Sequence, residues 1–147
     1  MKKEKNKVKI THNGMVKFIP CDMWKRGIYV FIGSFSQKKA FVLEKIKDEW
    51  SDGFIEIIRT EPTTSAAEYD YDIDGTGIIH IKKYPQTPKE YASLAHEIMH
   101  AVFVIMDFVH VDYIPNHTNE TYTYLCEHIT RNVLEKDGYI DANNYGK

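Results

Sequence analysis

The stretch of this chain best suited to chemistry is His96-Glu97-Ile98-Met99-His100. On an α-helix, residues i and i+4 lie on one face, one turn apart, so His96 and His100 can direct two imidazoles to one point. Two histidines at this spacing are a known way of binding Zn²⁺. Glu97 lies beside the first histidine, where a carboxylate can accept a proton from water on the metal. The pattern predicts a small zinc-dependent hydrolase, most simply a peptidase.

The motif requires a helix, and the residues around it predict one independently. Thr87 is suited to the N-cap, Pro88 to the first helical position, and Glu90 completes a capping box. An apolar stripe at helical spacing follows, formed by Tyr91, Leu94, Ala95, Ile98, Val102 and Ile105. His96 and His100 fall on a neighbouring face, together with Phe103. We therefore expect a metal site at the edge of a core. The alternative is that the two histidines are ordinary structural residues.

Two histidines do not complete a catalytic zinc site, which usually takes three protein ligands and a water molecule. Glu120, in the first turn of the next predicted helix, is the favoured third ligand, because a short antiparallel helix pair brings that turn toward the motif. A carboxylate there is also favoured by the helix dipole, so simple capping is an alternative role. The rival ligands are His117, three residues earlier, and Glu127, two turns later on the same face.

Residues 96–102, followed 20 residues after His100 by Asn119-Glu120, resemble the gluzincin pattern of thermolysin-like zinc peptidases. In that family, two histidines and a downstream glutamate on a second helix bind zinc. The short chain is also similar to compact metallopeptidases proposed for phages and mobile elements. Those proteins carry a later Glu-x-x-x-Tyr-Leu, which Glu120 to Leu125 match. The resemblance covers about residues 78–135, and it departs at Tyr124, where thermolysin-like enzymes place an aspartate that braces a zinc histidine.

The resemblance implies a mechanism for this chain. His96, His100 and Glu120 would hold Zn²⁺, and Glu97 would accept a proton and later pass it to the leaving amine. The substrate would be a peptide or protein, paired with an exposed sheet edge near 65–72 or 78–83. A second electrophile should stabilise the oxyanion. Three residues of the loop after the motif helix are candidates for this role: Tyr113, His110 and His117.

The remaining segments predict an α+β fold. We expect a hairpin over 7–19 turning at Asn13-Gly14, a buried central strand over 27–33, and a helix over about 37–49 capped by Ser34 or Ser36. Further strands are predicted over 54–59, over 63–73 as an edge with its acidic residues facing solvent, and over 78–81. The motif helix and a helix over about 118–136 follow.

The expected architecture is a small mixed or antiparallel sheet with one N-terminal helix, followed by the long motif helix and a C-terminal ligand-bearing helix, as in a minigluzincin. One domain is expected to cover residues 1–147, with 1–6 and 141–147 flexible.

Composition narrows the classes of function. The chain has 147 residues, of which 43% are hydrophobic, and a net charge of −2, so it is an ordinary globular sequence without the basic surface of a nucleic-acid binder. No apolar segment suits a signal peptide or a membrane span. Two cysteines, Cys21 and Cys126, do not form a disulfide framework. We expect a soluble, reduced, cytoplasmic protein, in the host cell if it is phage-encoded. The sequence carries no signal for a particular oligomeric state.

Three other functions are compatible with the same residues. A catalytically inactive binding protein with a peptidase fold would act on a host or phage protein by contact alone. A metal-free structural protein would use both motif histidines as ordinary helix residues. A zinc hydrolase could also act on cell-wall peptides or another amide. Metal analysis separates the second from the others, and cleavage by the wild type and by a Glu97→Gln variant separates a peptidase from a binding protein.

Overall fold

A five-stranded mixed sheet forms the framework of the computed structural model, which describes residues 7–21, 26–58, 66–72 and 76–147. Its strands are β1 (Met15–Cys21), β2 (Arg26–Ile32), β3 (Ala67–Tyr71), β4 (Gly77–Ile81) and β5 (Ile140–Asp141). Their order across the sheet is β3-β4-β2-β1-β5. β2 runs parallel to β4, whereas the β1–β2, β1–β5 and β3–β4 pairs are antiparallel.

Four α-helices lie in the described part of the chain: α1 (Phe35–Lys45), α2 (Asp52–Ile58), α3 (Pro88–Phe108) and α4 (Asn119–Leu134). The predicted α+β class and the mixed sheet are therefore confirmed. None of the helices within these residues is long and apolar enough to cross a membrane.

The central strand β2 is buried on both faces. Because side chains alternate along a strand, Ile28, Val30 and Ile32 pack with residues of α3 and α4, whereas Tyr29 and Phe31 pack with residues of α1. The sequence of a strand that is covered on both faces is a continuous run of apolar residues, not an alternation of apolar and polar ones. The predicted central strand over 27–33 is confirmed, and the sheet lies between two helical layers.

The predicted hairpin over 7–19 is wrong, although its turn exists. The Gly14 N–H donates to the Thr11 carbonyl oxygen at 3.1 Å, and Gly14 has a φ of +80°, which a glycine adopts without strain. The described residues before this turn, from position 7 onward, form no strand, and β1 pairs with β2 and β5 instead. The expected first arm is largely exposed, with Ile10 at 40%, although Val8 packs in part against the core.

The predicted strand over 54–59 is also wrong, because this segment begins as helix α2. The Ser51 hydroxyl accepts a hydrogen bond from the Phe54 N–H at 3.2 Å, as a helix-capping serine does. Phe54 and Ile55 are both buried, and adjacent buried residues suit one face of a helix better than alternation along a strand. In the described part of the chain, two α-helices, not one, therefore precede the motif helix.

The C-terminal tail packs on the sheet, contrary to the expectation from its polar composition. Ile140 and Asp141 pair with β1, and Ala142 is buried. The Tyr145 ring lies 5.7 Å from the Tyr29 ring and 5.5 Å from the Phe41 ring, measured between centroids. A single tyrosine thus joins the tail to the aromatic cluster under α1.

Helix α1 holds the edge strand β3 through one buried lysine. Lys38 is 1% exposed, and its Nζ lies 3.0 Å from Glu68 Oε1 and 2.6 Å from Asp70 Oδ2. These carboxylates were expected to face solvent, but they point to α1 because alternate side chains of β3 share that face. His80 of β4 adds a ring nitrogen 3.4 Å from Glu68 Oε1. In addition to its pairing with β4, β3 is therefore held by a buried ammonium group between two carboxylates.

Replacing Lys38 should destabilise the fold. Lys38→Met leaves two partly buried carboxylates without their cation, and we expect the free energy of unfolding to fall by about 3 kcal/mol. Urea denaturation measures this loss. The neighbouring, partly exposed Lys39 provides the control, and Lys39→Met should change stability by less than about 0.5 kcal/mol. Equal losses in the two variants would contradict the role of Lys38.

Candidate metal centre

The motif lies in the middle of α3, whose N-cap Thr87 and first residue Pro88 are as predicted, although Glu90 does not complete a capping box. The Thr87 hydroxyl accepts from the Glu90 N–H at 3.2 Å and donates to the Glu90 carboxylate at 2.9 Å, and Pro88 is the first helical residue. The buried face of α3 consists of Leu94, Ile98, Ala101, Val102, Ile105 and Met106. Two members of the predicted stripe lie outside it, since Tyr91 is 42% exposed and Ala95 is exposed.

The two motif histidines meet at the surface of α3. Their Nε2 atoms lie 2.9 Å apart, with one ring N–H donating to the other ring, and the ring planes are inclined at 76°. Two nitrogens on a tetrahedral zinc ion lie about 3.3 Å apart, given zinc–nitrogen bonds of about 2.0–2.1 Å. The rings need to open by only a few tenths of an ångström to accept the ion. The donor chemistry and the separation of His96 and His100 therefore fit zinc.

Glu97 lies in a cleft between α3 and the edge strand β3. The cleft has a volume of about 400 Å³, and Ala67, His96 and Glu97 are among its lining residues. The Glu97 side chain is half-buried, and the backbone N–H of Tyr69 acts to lower the pKa of its carboxyl group. Burial raises the pKa of Glu97, while the nearby rings of His100 and His96 act in the opposite direction. The glutamate of the motif is thus held beside both a histidine and the edge of the sheet.

The third ligand is not brought to the histidines in this structure. Glu120 is exposed in the first turn of α4, where the sequence placed it, and His117 is exposed in the preceding loop. Within the described ranges, no three His, Cys, Asp or Glu side chains form a group able to hold a metal ion. The ligand role of Glu120 stays a prediction.

A second cavity lies on the other side of the histidines, between α3 and α4. Its volume is about 600 Å³, and its apolar lining comes from Met99, Phe103, Tyr113, Tyr122 and Cys126. The Tyr122 hydroxyl donates to the Val111 carbonyl oxygen at 2.5 Å and so ties the intervening loop to α4. No pattern in the sequence indicates this cavity, because it depends on how two helices pack.

The loop after α3 supplies the three candidates for an oxyanion-stabilising group. Tyr113 packs edge-on against Tyr122, with ring centroids 5.2 Å apart, and lines the cavity between the helices. His110 is exposed and has a φ of +57°, and His117 is exposed on the same loop. Tyr113 is thus the candidate that the structure places in a cavity.

The cleft is bounded by a true sheet edge at β3. β4 pairs with β3 on one side and β2 on the other, so the segment 78–83, proposed above as an alternative edge, is not one. β3 is the last strand of the sheet as described, which agrees with the predicted edge strand in 63–73 where the structure describes it. Residues 73–75 and 59–65 lie outside the described part of the chain.

Comparison with protein-family models, with curated proteins and with solved structures finds no match to this chain.

The charge cluster behind β3 makes this wall of the cleft sensitive to acid. The hydrogen bond with His80, together with the positive charge of Lys38, lowers the pKa of Glu68 to about 2, against the opposing effect of burial. A carboxyl whose pKa is lower in the folded protein stabilises the fold while it is ionised. That contribution is complete above the ordinary value of 4.5 and is lost as the pH falls toward about 2.

We expect the stability difference between the wild type and Glu68→Gln to depend on pH. The difference should be largest at neutral pH and should shrink as the pH falls from 4.5 toward 2, because protonated Glu68 behaves like glutamine. Denaturation at a series of pH values measures it. Glu44→Gln, an exposed change on α1, should show no such trend. A difference that stays constant across this range would contradict the lowered pKa of Glu68.

Proposed function

We propose that this protein is a zinc-dependent hydrolase, most simply a metallopeptidase. The observation that carries the proposal is the 2.9 Å separation of the His96 and His100 Nε2 atoms, beside a cleft in which Glu97 lies. Local helix geometry explains why the two rings are neighbours. It does not by itself explain why a half-buried glutamate lies between them and a sheet edge, and this combination supports a hydrolytic site.

The residues that would hold the metal come from two helices. His96 and His100 of α3 supply nitrogen donors, and a carboxylate of α4, for which the sequence favours Glu120, would complete the protein ligands. Two histidines and a glutamate are a ligand set that catalytic zinc sites use. Zinc bound there would polarise a substrate carbonyl and lower the pKa of a water molecule toward neutrality.

Glu97 would serve as the general base. Its carboxylate lies in the cleft, where the backbone N–H of Tyr69 favours the ionised form. A carboxylate held next to the reacting water accepts its proton and returns it to the leaving amine as the peptide bond breaks. The partial burial that raises the pKa of Glu97 also makes it a stronger base at neutral pH.

A peptide is the substrate that suits the cleft. Extended peptides commonly bind by adding a strand to a sheet edge, and β3 is such an edge at one side of the cleft. A chain laid along β3 would pass over Glu97 and His96, which line the same cleft. The edge strand would therefore place a backbone carbonyl, rather than a side chain, near the proposed reaction centre.

The first test is metal binding. We expect one zinc ion per chain. Loss of a residue that only supports a metal ligand weakens affinity by about 10-fold to 100-fold. His96→Gln or His100→Gln removes a ligand itself, so the loss of zinc affinity should be larger than this. Competition with a chromophoric chelator measures the affinity. Acidification should weaken binding, because zinc binds neutral imidazole. His12→Gln, an exposed change away from α3, is the control. Wild-type affinity no higher than that of the histidine variants would remove the basis of the proposal.

The second test is the loss of the base. Glu97→Gln should retain zinc but cleave a denatured-protein or peptide library about 10² to 10⁴ times more slowly, because glutamine accepts no proton. Glu44→Gln, with an unchanged α3, should cleave at the wild-type rate. If the zinc-loaded wild type and Glu97→Gln behave alike, the protein is not a hydrolase that uses Glu97.

The alternative function is a binding protein with a peptidase fold. It is favoured by exposed aromatic residues that line the cavity between α3 and α4, where Phe103 is 49% and Tyr113 53% exposed. Exposed apolar groups clustered in this way often mark contact surfaces for another protein. Zinc binding without cleavage of any library member would favour this function over the hydrolase.

A further inference from the structure

Helix α4 presents two glutamates that could face the histidines. Glu120 and Glu127 are seven residues apart, nearly two full turns, so they lie on one face of the helix, about 10 Å apart along its axis. Both are exposed. Because of this separation only one of them can be level with the histidine pair, and the contacts between α3 and α4 decide which.

The register of the two helices is fixed by their packing. The Phe103 ring of α3 lies 5.5 Å from the Tyr122 ring of α4, measured between centroids. One turn earlier on α3, Met99 lines the same cavity as Cys126 and Glu127, which lie one turn later on α4. The helices are therefore antiparallel here, and each turn back along α3 corresponds to one turn forward along α4.

This register places Glu127 level with the turn of α3 that carries the histidines. If the same register is followed one residue back from Met99, Glu127 lies opposite the middle of the segment from His96 to His100. Glu120 instead lies level with Ile105, five residues beyond His100, which is about 7 to 8 Å along the helix axis. The predicted ligand is thus displaced from the pair by more than one turn.

The present partner of Glu127 does not hold it firmly. Its Oε1 accepts a hydrogen bond from Arg131 Nη2 at 2.8 Å, and the two side chains are 62% and 71% exposed. An exposed i,i+4 ion pair of this kind contributes little to stability. The carboxylate can therefore exchange the arginine for a metal ion at small cost.

We propose that Glu127, rather than Glu120, supplies the third zinc ligand, on the condition that the proposed zinc site exists. The two imidazoles and this carboxylate would approach the ion from facing turns of α3 and α4. Arg131 competes with the metal for the same carboxylate oxygens. Eight residues of α3 follow His100, and they carry the start of α4, with Glu120, past the histidines.

The test compares two matched variants of the full chain, with zinc alone as the probe. Glu127→Gln should weaken zinc affinity by more than the roughly 10-fold to 100-fold that follows the loss of a supporting contact. Glu120→Gln should leave the affinity within about twofold of the wild type. Both changes are isosteric, exposed and on the same face of α4, so unfolding midpoints without zinc should match. The rise in the unfolding midpoint on adding saturating zinc gives an independent readout, and it should shrink only for Glu127→Gln.

Arg131→Gln separates the loss of a ligand from the loss of an ion pair. It should bind zinc as tightly as the wild type or up to about twofold more tightly, since it frees Glu127. Weakening equal to that of Glu127→Gln would overturn the inference.

The remaining outcomes separate this inference from the proposed function. A loss confined to Glu120→Gln, or no loss in either glutamate variant, would overturn the role of Glu127 while leaving a zinc site on the histidines. A wild type that binds zinc no better than His96→Gln would overturn both.

Discussion

The packing of one face of α3 on the sheet is the interaction on which the candidate site depends. Ile98, Val102 and Ile105 are fully or almost fully buried in the core between the sheet, α3 and α4. Each such side chain contributes about 1.5–3 kcal/mol when it is buried. Because this face is fixed, the rotation of α3 is fixed too, and the imidazoles of His96 and His100 must emerge on the adjoining surface. A rotation that hid the histidines would expose the apolar face.

The two sides of the site are built by different forces. On one side, the edge strand β3 is held by an ion-pair cluster around Lys38, which lies on the far face of the sheet from α3. On the other side, α4 is held by apolar contacts and by the Tyr122 hydroxyl bonded to Val111. Pairing with β4 and the buried charges therefore position the cleft wall next to Glu97, whereas apolar packing sets the register of α4.

Features that depend on residues close together in the chain were predicted correctly, whereas features that depend on contacts between distant segments were not. The start of α3 was predicted because Thr87, Pro88 and Glu90 act within one turn. The central strand was predicted because burial on both faces leaves an apolar run. Segment 54–59 was misread because the apolar residues of a short helix and of a strand look alike. The role of Lys38 was missed, although a lysine one turn before Phe41 and Val42, on an otherwise buried face, was a usable signal.

The amino-acid sequence is enough to place two imidazoles and a glutamate on one stretch of helix, because the positions of His96, Glu97 and His100 follow from local backbone geometry. It also determined where that helix begins. The position of Glu97 beside the edge strand β3, and the turn of α4 that stands opposite the histidines, depend on how the elements pack. Those relations join residues far apart in the chain, and they are set by the length of α3, the path of its following loop and the fit of two apolar surfaces.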